Sequence, residues 1–397
     1  MMEKVMKKFA AFVVVFFTAT FVMGQTYYNE WINYNKTYFK FKVGTTALFR
    51  IYNSDLATLG LSNEPAQNFQ LWRNGKEVAI YTSSPTGTLG ASGYLEFWAE
   101  KNDGKNDIDL YRRPEYQLSN EVSLISDTAS YFLTVNNTGN NLRFAPTPNN
   151  LSGNTLPAET FFMYSVRKDI TERIHRGRAL VAGSEYVYSS SYDIGEMWTS
   201  NDIYPSSPDT FSFNNLFVLP GGPSATLRAS IAGSAPNSRQ YNIEVNSTVI
   251  VDSTINQFDA VVNNKPTVSV SLLSTNAAAI RIVNKSNNVN DRIVCGFVEL
   301  IYPRQFNFGN QTAFSFSLAP SAIKKYLEIS NFNVGTSTPV LYDLTNQRRY
   351  VANWPFAIVL FSPFGQCATW VADLAPTCLS RNTANYYPNS KQGQSGR

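Results

Sequence analysis

Short runs that alternate apolar and polar residues recur along this chain, and a period of two marks strands with one buried face. Tyr38-Phe39-Lys40-Phe41-Lys42-Val43 alternates over most of its length and passes through Gly44-Thr45-Thr46 into the apolar stretch 47–51. That pattern predicts a hairpin. Residues 55–60 predict a short helical turn, with Ser54 as its cap and Gly60 as its stop. Asn74-Gly75 lies between the apolar runs 69–72 and 77–81, and both turn residues tolerate positive φ, so a second hairpin is expected there. Residues 94–99 read as a strand. Residues 131–135 and 141–144 flank the polar turn Asn136-Asn137-Thr138-Gly139-Asn140 as a third hairpin.

From Phe211 the pattern becomes regular. Residues 225–233, 241–245, 248–251, 267–272 and 279–283 form strand-like runs joined by Gly, Pro, Asn and Ser turns, which predicts a β-sandwich of jelly-roll type. The run Ile293-Val294-Cys295-Gly296-Phe297-Val298-Glu299-Leu300-Ile301-Tyr302 closes it. Pro303, which lacks an N–H, is expected to cut off the last pairing. Residues 313–318 and 325–329 predict a hairpin through Ala319-Pro320-Ser321, and residues 340–346 a strand running into a turn. After Trp354 the periodicity stops, apart from the apolar run 357–361. The expected fold is all-β, with tandem jelly-roll-like β-sandwich domains following a signal peptide. The divisions are a signal peptide at 1–24, β modules at 31–165 and 166–304, the start of a third at 305–353, and an aperiodic tail at 354–397. A frame shift would produce such a tail, and the third module would then keep an open strand edge.

The first residues carry the address. Lys4, Lys7 and Lys8 precede an apolar run over 9–22, and Gly24 precedes an expected cut before Gln25. No later stretch approaches the roughly 20 apolar residues a bilayer needs, so export to the periplasm, outer-membrane surface or medium is expected. Charged residues are 16% and aromatics 14% of the chain, which suits half-buried sheets. The net charge of +4 is spread out, and nucleic acid is not an expected partner. Three cysteines make an odd count that frames no disulfide scaffold.

Candidate chemistry is sparse. The loop Asn102-Asp103-Gly104-Lys105-Asn106-Asp107-Ile108-Asp109 is rich in oxygen ligands, but its spacing does not fit an EF-hand, and it reads as a solvated turn. His175, the only histidine, sits among Arg173, Arg176 and Arg178 with no partner pattern for a general base, and reads as a surface residue. Tyr186, Tyr188 and Tyr192 are expected on one strand face. Glu196 has no second carboxylate at a useful spacing and reads as structural. Cys295 reads as buried and inert; Cys367 and Cys378 fall in the tail without a motif. No catalytic, cofactor-binding or metal-binding residue is expected.

Several of these features together resemble the N-terminal region of the gingipain-like cysteine peptidases, most closely the PorU-type sortases of the bacterial type IX secretion system. They are the runs over 38–51 with Asp55-Leu56, the strand at 94–99 before its Asp/Asn/Gly loop, Asp193-Ile194-Gly195-Glu196-Met197-Trp198, Val298-Glu299-Leu300-Ile301-Tyr302-Pro303-Arg304, and Leu341-Tyr342-Asp343-Leu344-Thr345-Asn346. The resemblance covers residues 30–353 and implies β-rich domains ahead of a peptidase domain bearing a His and Cys dyad. That dyad requires a thiolate activated by an imidazole. Neither His175 nor any cysteine here matches a catalytic position, so this chain alone is expected to be inactive. Other secretion components and secreted cargo are the implied partners, with peripheral outer-membrane association. The competing expectation is a secreted cell-surface β-sandwich that binds glycan or protein through exposed Tyr and Trp.

Overall fold

Burial of alternate residues against a facing sheet organises the described residues. The computed structural model describes residues 29–183, 185–335, 338–352, 357–360, 368–371 and 385–386, and its regular structure is almost entirely strand. The expected signal peptide, Cys367 and Cys378 lie outside the described residues. Among those residues no helix is long and apolar enough to cross a membrane.

The first strands are β1 (Phe39–Val43), β2 (Ala47–Tyr52), β3 (Phe69–Arg73), β4 (Lys76–Val78), β5 (Ile80–Thr82), β6 (Tyr94–Ala99), β7 (Ala129–Val135) and β8 (Ala145–Thr147). One sheet runs β1–β7–β3–β4 and another β2–β6–β5. Phe41, Val43, Leu71, Tyr131 and Leu133 from the first sheet meet Phe49, Ile51, Leu95 and Phe97 from the second in one core. The β3–β4 turn forms as expected, with Asn74 at φ 48° and Gly75 at φ 73°.

Two expected hairpins do not form. β1 pairs with β7 and β2 with β6, because both strands put their apolar faces into the same core from opposite sheets. Beyond β7, residues 142–144 run beside Ile80, whose N–H donates to Leu142 O at 3.3 Å while its carbonyl accepts the Phe144 N–H at 3.0 Å. The short helix α1 (Asn53–Ala57) begins after Tyr52, whose N–H donates to the Asp55 carboxylate at 3.1 Å. Asp55 therefore caps it, in place of Ser54.

Next come β9 (Phe162–Asp169), β10 (Arg173–Arg176), β11 (Ala179–Ala182), β12 (Glu185–Tyr188), β13 (Glu196–Thr199), β14 (Asp209–Phe213), β15 (Ala225–Gly233), β16 (Arg239–Val245), β17 (Thr248–Ile255), β18 (Ala260–Val268), β19 (Ala278–Asn284) and β20 (Ile293–Arg304). They build the sandwich: a β14–β19–β16–β17 sheet faces a β18–β15–β20–β9 sheet, with antiparallel pairs throughout. Leu227, Ile231, Ile243, Ile280, Ile282, Val298 and Leu300 fill the space between. β18 starts earlier than its sequence suggests and ends before a 3₁₀ turn at Val270–Leu273, which was expected to be strand. It is an edge strand with most residues exposed, which is where Pro266 is tolerated.

β20 is interior rather than terminal, flanked by β15 and β9. All of its residues are buried except Ile301, which is half-buried. Pro303 does not end it. The β15 ladder stops at Ile301, so the missing N–H interrupts no bond there, and β9 pairs on to Arg304. Gly296 is the extra residue where the β15–β20 register shifts. A Cβ there would sit 2.6 Å from Ser230 Oγ and 2.8 Å from Met197 Sδ, so a side chain at the bulge would have to displace both.

The following strands are β21 (Asn307–Gln311), β22 (Ala313–Phe316), β23 (Lys325–Glu328), β24 (Ser330–Phe332), β25 (Val340–Asp343), β26 (Arg348–Val351), β27 (Ala357–Leu360) and β28 (Ala368–Val371). The expected β22–β23 hairpin does not form: β22 pairs with β28, and β23 with β27. The tail thus supplies three strands among the described residues: β27 on the apolar run already set apart from the aperiodic stretch, β28, and the two-residue β29 (Asn385–Tyr386), which pairs with β1; the last two are too short to show a period. The sheet runs β22–β28–β25–β26–β8, with β8 reaching in from upstream in a parallel pairing. Phe162, Phe306, Phe308, Phe314, Phe316 and Phe332 pack beneath it.

Candidate functional site

At one end of the sandwich the chain leaves β9 and forms two small sheets, β10–β13 and β11–β12. The sequence Arg173-Ile174-His175-Arg176 makes β10, and Gly177 at φ 67° turns the chain toward β11. A Cβ on Gly177 would lie 2.6 Å from the Ile194 carbonyl, so this turn can close only with glycine.

His175 is buried, contrary to its expected place on the surface. Its three arginine neighbours made it look solvated, but strand alternation turns the ring under β10 while Ile174 and Arg176 face out. Its Nδ1 lies 2.9 Å from the Gly195 carbonyl and 3.3 Å from the Gly177 backbone nitrogen, so one tautomer donates to the first and the other accepts from the second. Burial lowers its pKa; the Gly195 bond opposes this and nearby Arg173 adds to it. The imidazole is a neutral structural group.

Above it opens a cleft of about 610 Å³. β10 forms one wall, Tyr188 and Tyr204 flank it, and Ser234, Pro236, Phe258 and Arg292 from the sandwich rim form the other. Asp202 is the carboxylate on this lining. It takes Arg173 Nη1 at 3.3 Å together with a shorter bond from Nη2, and its Oδ2 lies 3.9 Å from Arg292 Nε. Arg292 Nε and Nη2 donate to the Ser234 carbonyl at 3.2 and 2.9 Å. Arg176 lies over the Tyr188 ring at 5.5 Å, a cation–π contact. Three guanidinium groups against one carboxylate make the cleft electropositive.

The other weighed residues are placed elsewhere. Cys295 is wholly buried in β20, its Sγ 3.4 Å from the Phe297 carbonyl, and burial pushes its thiol pKa far up. A protonated, inaccessible thiol cannot attack, and no imidazole is hydrogen-bonded to it. The 102–109 loop is more than a solvated turn. It contains a 3₁₀ segment at Lys105–Leu110, and the buried Asp107 carboxylate accepts from Ser123 Oγ at 2.7 Å and from Leu124 N–H at 3.0 Å. Asp107 thus holds a second loop rather than facing water. Among the described residues no group of His, Cys, Asp and Glu could hold a metal ion. Glu196 accepts the Tyr192 N–H, a local structural bond. Tyr192, at φ 55°, sits in the following turn and does not share the β12 face with Tyr188. The sequence signal for the cleft is the arginine cluster around His175.

Among solved structures, the chain is similar to dimeric latent PorU from Porphyromonas gingivalis, with a TM-score of 0.55 and 12% identity over 89% of this chain and 33% of that one. That likeness is one of fold, and the chain spans about a third of that protein's length. A carbohydrate-binding module CBM36 in complex with calcium and xylotriose overlaps 34% of this chain and 98% of its own at a TM-score of 0.22 and 9% identity. BuGH86 in complex with neoagarooctaose overlaps 67% of this chain and 32% of its own, also at a TM-score of 0.22, with 10% identity. No protein-family model and no curated protein sequence matches the chain.

Proposed function

We propose that this chain is the non-catalytic N-terminal region of a PorU-like, gingipain-type sortase of the type IX secretion system, and that it supports cleavage of secreted cargo at the outer membrane. The observation that carries this is the fold likeness to PorU, which takes in 89% of this chain but only 33% of that protein. A similarity of that form suits a β-rich region that belongs beside a larger catalytic part. The sequence features over residues 30–353 resemble the same family, without a matching protein-family model. Its role is architectural: packed sheets hold their polar groups in internal bonds, and the described cysteine is inert.

The test lies at the gene and at the bench. Reading the gene downstream in every frame is expected to reveal a peptidase domain with a His and Cys dyad. Stop codons throughout those frames would remove most of the support. The purified chain is expected to show no thiol-dependent cleavage of peptide substrates; such cleavage, abolished by a thiol-blocking reagent, would overturn the non-catalytic assignment. The second reading, a secreted surface protein that binds glycan or protein, is favoured by the electropositive, tyrosine-flanked cleft.

A further inference from the structure

We propose that the unpaired edge of β10, with Arg176, Arg173 and Arg292 beside it, binds an acidic peptide segment in extended conformation. The inference stands on the cleft alone and does not depend on the family assignment.

Two independent features of the cleft converge on this ligand. The first is backbone. β10 pairs with β13 on one side and has no strand on the other among the described residues. In an antiparallel pair, alternate residues turn their N–H and C=O groups away from the partner. Two of the four residues 173–176 therefore turn their backbone groups to the side away from β13, and all four residues line the cleft. An edge of this kind takes an added strand, which supplies affinity through main-chain bonds.

The second is charge. Arg173 is engaged by Asp202 and the Ser200 carbonyl, and Arg292 by the Ser234 and Asn290 carbonyls, so both guanidinium groups are held in place before any ligand arrives. Arg176 has no carboxylate partner among the described residues and rests on Tyr188. It is the group whose charge an incoming carboxylate would satisfy, and guanidinium matches carboxylate as a two-pronged donor. Ile174 and Tyr204, 40% and 38% exposed, offer apolar contact beside it. An acidic sugar would answer the charge and the ring, but it has no use for a strand edge.

A fluorescent peptide of sequence Thr-Glu-Val-Glu-Val-Glu-Thr, titrated with the full chain by anisotropy at low salt, tests this. Binding is expected, and Arg176→Ala should weaken it about tenfold, the loss of one charge-assisted bond. Arg176 is exposed and carries no ion pair among the described residues, so the variant should keep the wild-type melting temperature, which separates lost binding from lost folding. A copy with Gln for Glu, and one N-methylated at alternate amides, should each weaken binding by a similar factor. The proposal is overturned if the peptide does not bind, if Arg176→Ala binds it equally, or if N-methylation has no effect. It is also overturned if an oligogalacturonate competes as strongly as the unlabelled peptide, which would make this a sugar-acid site.

Discussion

Two buried carboxylates hold this molecule together in different ways. Asp291 lies inside the sandwich and is fully buried with Arg239. Its oxygens take Arg239 Nε at 3.2 and 3.0 Å and Nη2 at 3.0 Å, and also accept from Asn237 and Asn284. The remaining guanidinium donors reach the Ala235 and Gln257 carbonyls. Gly233 makes room for this: a Cβ there would lie 2.1 Å from Arg239 Nη1 and 1.8 Å from the Gln257 carbonyl. Glu96, by contrast, sits where the first sheets meet the last one. Arg50 Nε donates to it at 3.0 Å from the neighbouring strand, while the Tyr342 hydroxyl donates from β25. Arg349 Nε, 3.7 Å from Glu96, donates to that hydroxyl at 2.9 Å. The first network locks loops within one sandwich; the second ties together segments 246 residues apart.

The contrast is sharpest when one partner is removed. Asp291→Ala leaves the Arg239 charge buried without a counterion, and such losses cost about 3–5 kcal/mol. The sandwich should show this as a large fall in its urea midpoint. Replacing both members with apolar residues, Arg239→Met with Asp291→Leu, should recover much of that loss, because the pair costs desolvation as well as gaining attraction. A double variant no better than Asp291→Ala would mean that the loop carbonyls depend on Arg239 itself.

At the junction the effect should be smaller and differently located. Tyr342→Phe removes two hydrogen bonds, the one its hydroxyl donates to the Glu96 carboxylate, about 1.5–3 kcal/mol, and the one it accepts from Arg349, while Arg50 still holds Glu96. Burial next to Glu96 raises the Tyr342 pKa well above the ordinary phenol value, so the hydroxyl stays a donor at neutral pH. Hydrogen exchange should quicken in β25 and β26 while the sandwich strands keep their protection. Equal loosening in both would show that the junction and the sandwich unfold as one unit.

This difference also marks what the sequence could tell. The sandwich strands were legible because each buries one face, and residues 225–233 or 279–283 display that directly. Partners were not legible where they come from distant segments. β1 and β2 adjoin in sequence, yet each completes a different sheet, and β22 finds β28 rather than β23. Alternation states that a strand has a buried face without stating which strand lies beside it. The cleft failed for a related reason. Arg173, Arg176 and His175 were visible as a cluster, but Asp202, Ser234 and Arg292 arrive from turns with no pattern of their own.

The smallest effect is expected at the rim, where the comparison gains a neutral third case. His175 is buried like the two carboxylates but carries no ion pair of its own, and it faces Gly195 O, with Arg173 disfavouring its charge and Asp202 favouring it. Its folded pKa lies below the roughly 6.5 of an unfolded histidine. Above pH 6.5 both states are neutral there and its contribution is complete. As pH falls through 6.5 the unfolded chain takes up the proton first, and stability declines until pH passes the lowered folded value. The difference in urea midpoint between wild type and His175→Gln should therefore change below pH 6.5 and stay constant above it. A difference that held constant to pH 5 would mean that the buried ring is protonated as readily as a free one. In that case the Gly195 bond and Asp202 would outweigh burial, and the rim would hold a charge as the other two networks do.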